Sequence, residues 1–64
     1  MTNNNFGTFE TLVEALESEG VAHLWPEGLS IAPGESQKAL TGNTWVALAR
    51  RSDGRYIRPV TWTA

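Results

Sequence analysis

Cysteine is absent from the 64 residues, and histidine and aspartate occur once each, as His23 and Asp53. The first absence removes disulfide cross-links, and together they leave too few ligands for a structural zinc site. They also leave little for general acid–base catalysis, which needs a positioned partner for each titrating group. No phosphate-binding loop, dinucleotide fingerprint or nucleophile elbow occurs. No apolar run approaches the roughly 18 residues of a membrane span. Met1–Asn5 has neither the positive start nor the apolar stretch of a secretory signal, so a cytoplasmic location is expected. These absences predict a non-enzymatic protein with no catalytic residue, cofactor, metal or membrane partner. A chain of 64 residues is one domain at most and buries a smaller share of its surface than a larger domain. Without staples it folds on its packing alone or leans on a partner or a second copy.

Lysine and arginine are missing from residues 1–35, which hold all six glutamates: Glu10, Glu14, Glu17, Glu19, Glu27 and Glu35. Residues 36–64 carry Lys38, Arg50, Arg51, Arg55 and Arg58 against Asp53 alone. The two parts bear −6 and +4, which sum to the net −2. The simplest reading is that they fold against each other and neutralise; the alternative is a charged surface for a partner of opposite sign.

Residues 1–6 read as a disordered polar tail and residues 7–64 as one small domain. Thr8 suits a helix N-cap, and Phe9, Leu12, Val13 and Leu16 follow at helical spacing, predicting a helix over residues 8–19. Gly20 stands where a left-handed C-terminal residue belongs, although Glu17 and Glu19 sit at the negative end of the dipole, a small penalty unless something basic lies nearby. Val21–Trp25 reads as a short strand closed by a turn at Trp25-Pro26-Glu27-Gly28. Pro33-Gly34 signals a type II turn and Gly42-Asn43 a two-residue hairpin.

Thr44–Arg51 and Arg55–Thr63 flank Ser52-Asp53-Gly54 and read as a C-terminal hairpin rich in β-branched and aromatic residues. A tight Asp53-Gly54 turn pairs Trp45 with Trp62. A type I turn with Gly54 as bulge residue pairs Val46 with Val60 and Arg50 with Tyr56. The second register is preferred because it gathers Val46, Leu48, Tyr56, Val60 and Trp62 on one core face. Pro59 places the last strand at a sheet edge. A helix over Thr44–Ser52 also fits Trp45, Leu48 and Ala49. The expected fold class is α+β: one amphipathic N-terminal helix packed on a small antiparallel sheet with a C-terminal β-hairpin. The predicted core is Phe9, Leu12, Val13, Leu16, Leu24, Ile31, Val46, Leu48 and Val60.

The candidate contact surface combines Trp25, before a proline turn, with Arg50, Arg51, Arg55, Tyr56 and Arg58 around the hairpin tip. Arginine beside aromatic rings is the composition of protein hot spots and of single-strand nucleic-acid platforms. A sequence pI near 5.1 ranks the protein partner above the nucleic acid. The plainest alternative buries the rings and solvates the arginines. Homo-oligomerisation through the edge strand near Pro59 is a further possibility.

Gly7-Thr8-Phe9 with Leu12-Val13, then Glu19-Gly20 shortly before Leu24-Trp25-Pro26, resembles the opening of the MbtH-like proteins. Ile31, Gly34 and Arg58-Pro59 also fall where that pattern carries an aliphatic residue, a glycine and a near-terminal Arg-Pro. The resemblance implies a three-stranded antiparallel sheet with a packed helix. It further implies a non-catalytic role, binding the adenylation domain of a nonribosomal peptide synthetase. In that family two tryptophans form a cleft for a small partner side chain. Trp25 matches the first, whereas Glu35 occupies the second position. Residues 35–57 match loosely, and the family carries a strand where the apolar spacing here predicts helix.

Overall fold

The N-terminal apolar spacing forms a helix, but it starts later than Thr8. In the computed structural model, which describes residues 7–64, Thr8–Phe9 is a short strand, β1, and helix α1 spans Leu12–Ser18. The predicted tail, residues 1–6, lies outside the described residues. Thr11 rather than Thr8 is the N-cap: its backbone is extended and its Oγ1 accepts the Glu14 N–H at 3.1 Å. Starting there rotates the buried arc onto Leu12, Ala15 and Leu16. At about 100° per residue, Val13 falls outside that arc and is 57% exposed, which corrects its place in the predicted core. Thr11→Ala is expected to cost about 1 kcal/mol and to lower the thermal midpoint by about 4–8 °C in a circular-dichroism melt.

Gly20, with φ of 68°, ends the helix as expected. Its N–H donates to the Glu17 carbonyl at 3.0 Å, and the Val21 N–H reaches back to the Leu16 carbonyl at 3.0 Å. That pair of bonds is a Schellman closure, and it turns Val21 into the same buried cluster as Leu16. The expected strand at Val21–Trp25 is instead a 3₁₀ turn over Ala22–Leu24, closed by the Leu24 N–H on the Val21 carbonyl. The following turn falls one residue later than predicted, with the Leu29 N–H on the Pro26 carbonyl and Gly28 at φ 86°.

From Pro33-Gly34 onward the chain is an antiparallel meander. Strand β2 (Ser36–Thr41) and strand β3 (Thr44–Ala49) are joined at Gly42-Asn43, with Thr41 opposite Thr44. Strand β4 (Tyr56–Ile57) pairs with β1, and strand β5 (Val60–Thr63) pairs with β3. The sheet order β2-β3-β5 places β5 at an edge, as Pro59 suggested, and α+β with an antiparallel sheet is the observed class.

The hairpin combines the two registers that competed. At the tip, the Gly54 N–H donates to the Arg51 carbonyl, Gly54 has φ of 93°, and Arg50 bridges Tyr56, as the bulged turn requires. Farther along, Trp45 faces Trp62 and Ala47 faces Val60. One extra residue therefore enters the returning strand around Arg58-Pro59. A one-residue slip moves every later side chain to the opposite face. Val60 and Trp62 are thereby 60% and 42% exposed instead of buried, which corrects both the core list and the core-face grouping.

The core lies between α1, the segment through Ile31 and the inner face of β2 and β3. Ala15, Leu16, Val21, Ile31, Val46 and Leu48 form its buried cluster, with Phe9, Leu12, Leu24, Trp25 and Tyr56 packed partly against it.

Candidate functional site

Strand alternation divides the sheet into two unequal faces. Inward, Val46 and Leu48 of β3 and Ala39 of β2 are buried. Outward, cross-strand partners form rows: Leu40 beside Trp45 beside Trp62, and Lys38 beside Ala47 beside Val60. Trp45 and Trp62 stack with ring centroids 6.0 Å apart and planes 18° from parallel. The Lys38 ammonium lies 5.1 Å from the Trp45 ring centroid, within cation–π range.

Next to this aromatic pair is a groove of about 460 Å³, lined among others by Ser36, Lys38, Ala47, Ala49, Ile57, Arg58 and Val60. Its shape follows from side-chain size. Ala47 and Ala49 are short, so the larger Lys38, Ile57 and Val60 stand above them. Leu40, Ile57, Val60 and Trp62 are all more than 40% exposed, so this is a contiguous apolar surface bordered by cations. Exposed large apolar groups gathered on one face mark interaction sites more often than the same groups scattered singly.

Apart from Arg58, which borders the groove, the residues singled out from sequence sit elsewhere, and each has a partner within the chain. Trp25 is half-buried against the core, and its indole N–H donates to the Leu29 carbonyl at 2.9 Å. Arg50 donates through Nε to the Gly54 carbonyl and through Nη1 to the Ile31 carbonyl, both at 2.9 Å. Its guanidinium also lies 4.7 Å from the Tyr56 ring centroid, and Tyr56 packs on the core. Arg55 donates to Thr8 Oγ1 at 2.8 Å and lies 3.9 Å from the Glu10 carboxylate. Arg51 pairs with Asp53 at 3.1 Å and Arg58 with Glu19 at 3.5 Å.

Two of the ion pairs, Arg55–Glu10 and Arg58–Glu19, join the basic half to the acidic half. Arg58 is the base that offsets Glu19 at the helix C-terminus. The aromatic pair Trp45/Trp62, with Leu40, Val60 and Ile57, was not selected from sequence as a site. Its signal was present in the outward alternation of Trp45, Ala47 and Ala49, but matching it to Val60 and Trp62 required the shift at Pro59.

His23 is exposed on the 3₁₀ turn. Among the described residues no three His, Cys, Asp or Glu side chains gather as a metal site, and no helix is long and apolar enough to cross a membrane. Comparison of the chain with protein-family models, curated proteins and solved structures gives no match.

Proposed function

We propose that this is a small, cytoplasmic, non-enzymatic accessory or regulatory protein that docks a protein partner on the outward face of its sheet. The observation that carries the reading is the stack of half-buried Trp45 and exposed Trp62 beside the Ala47/Ala49 groove. Rigid aromatic rings next to a pocket are the usual anchors of protein interfaces, because they bury much area while losing little side-chain freedom. The groove's floor of Ala47 and Ala49 suits apolar side chains, and Lys38 suits a carboxylate next to them. The hairpin arginines, on which a nucleic-acid reading depends, contact this chain's own carbonyl, hydroxyl and carboxylate groups, which sets the protein reading first. Identification of the partner as an adenylation domain rests on the MbtH-like resemblance alone.

Titration with such an adenylation domain tests the partner and the surface together. Trp62→Ala is expected to weaken binding about thirtyfold or more, a hot-spot loss. Arg51→Met, at the arginine-rich hairpin tip and outside the groove lining, is expected to change it much less. The reverse pattern would return the contact surface to the arginines. No binding by the wild-type chain would remove the adenylation domain as partner.

A further inference from the structure

We propose that a second copy of this chain pairs with β5 along its open edge, antiparallel and about a two-fold axis. The open edge follows from backbone hydrogen bonding. The Ala64 N–H donates to the Asn43 carbonyl at 2.9 Å, at the end of the β3–β5 ladder. Bonds in an antiparallel ladder recur at every second residue, so Val60, Trp62 and Ala64 direct their peptide groups toward β3. Thr61 and Thr63 direct theirs the other way, to the side on which β5, among the described residues, has no neighbour in the order β2-β3-β5. Pro59 falls on that same side, where its missing N–H breaks no ladder bond.

The two edges of this sheet are guarded differently. Strand β2 carries Lys38 in its middle, a charge that discourages further pairing. Strand β5 reads Val-Thr-Trp-Thr, with four good strand formers, all exposed, and no charge or proline. Two such strands meet without like-charge repulsion although each chain carries a net −2.

Residues directly opposed across an antiparallel seam share a face. Trp62 can therefore face its counterpart across the two-fold axis, with Thr61 opposite the second copy's Thr63. Every outward peptide group of Thr61 and Thr63 then has a partner. The row Leu40–Trp45–Trp62 continues into the same row of the second copy, so one aromatic ladder runs across both sheets. The remaining candidates for this edge are a foreign strand and the chain's own N-terminal residues. The latter include Asn3, Asn4 and Asn5, which are poor strand formers.

Hydrogen exchange at several protein concentrations, with sedimentation on the same samples, tests the pairing. From micromolar to millimolar protein, the Thr61 and Thr63 amides are expected to gain about tenfold or more protection as the chain sediments as a dimer. The Trp62 and Ala64 amides, bonded within the chain, are expected to be protected throughout. Thr61→Pro removes an outward N–H, and the double variant T61K/T63K sets lysines opposite each other across the seam. Both are expected to stay monomeric at millimolar concentration, and an unchanged circular-dichroism spectrum of T61K/T63K confirms that the fold is kept.

Wild-type monomer at every concentration would overturn the proposal, as would a dimer that survives in T61K/T63K. Protection of Thr61 and Thr63 that is equal at all concentrations would assign the edge to the chain itself. Protection gained only on adding an adenylation domain would assign it to a foreign strand. The pairing needs no other protein, so its failure leaves docking on the outward face untouched, and the converse also holds.

Discussion

Leu16→Ala is expected to abolish cooperative folding at room temperature. Leu16 is 3% exposed, lies in the buried cluster with Ile31 and Val46, and supplies the carbonyl that closes the helix onto Val21. A buried leucine cut to alanine costs about 2–5 kcal/mol, because the lost transfer energy is compounded by a cavity. A single core in a chain of this size rarely supplies more than about 3–5 kcal/mol, and nothing here cross-links the chain. The loss therefore matches the whole margin. A circular-dichroism melt should be sigmoidal for the wild type and without a transition for Leu16→Ala. Val13→Ala, on the exposed side of the same helix, should melt within a few degrees of wild type. Equal behaviour of the two variants would show that the helix is not held by the arc Leu12–Ala15–Leu16.

The second large effect is expected at Arg50. Its guanidinium joins three separate parts of the chain: the Ile31 carbonyl before the sheet, the Gly54 carbonyl at the hairpin tip and the Tyr56 ring. Arg50→Met keeps most of the aliphatic stem and removes the charged donors, leaving the two carbonyls to find other partners in a half-buried setting. Hydrogen bonds from a charged donor contribute about 1.5–3 kcal/mol each, so a total loss of about 2–4 kcal/mol is expected from urea unfolding. Arg51→Met, which breaks a half-exposed pair with Asp53, should cost about 0.5 kcal/mol or less. Equal costs at the two positions would remove Arg50 from the framework and free it for the binding role its sequence neighbourhood suggested.

These adjacent arginines show why the site was harder to read than the fold. Charge and ring content around the hairpin were visible, but composition does not say where a guanidinium ends. Arg50 reaches a carbonyl 19 positions earlier, and Arg55 reaches Thr8 across 47 positions. Contacts of that span depend on how α1, β1 and the hairpin are brought together. The same dependence shifted the helix start. Thr8 and Thr11 are both acceptable caps locally, and the choice went to Thr11 because Thr8 and Phe9 pair with Ile57 and Tyr56. Val21–Trp25 has the residues of a strand, but the Leu24 and Trp25 N–H groups donate to the Val21 and Ala22 carbonyls, so it closes on itself as a 3₁₀ turn.

What the chain determined by itself was local and periodic. Glycines at positive φ ended the helix and shaped the turns, and Gly42-Asn43 set the β2–β3 register. The apolar spacing placed Leu16, Ile31, Val46 and Leu48 in the interior, and the α+β class followed from them. The tertiary structure decided which face each residue of the last strand presents. The extra residue near Pro59 is absorbed where the chain leaves β1 and β4 to join β3, an event of packing that no short window contains. Because side chains alternate with a period of two, that one step turned Val60 and Trp62 from core to surface. It also placed Trp62 against Trp45, and so moved the candidate docking surface from the arginine-rich tip to the open face of the sheet.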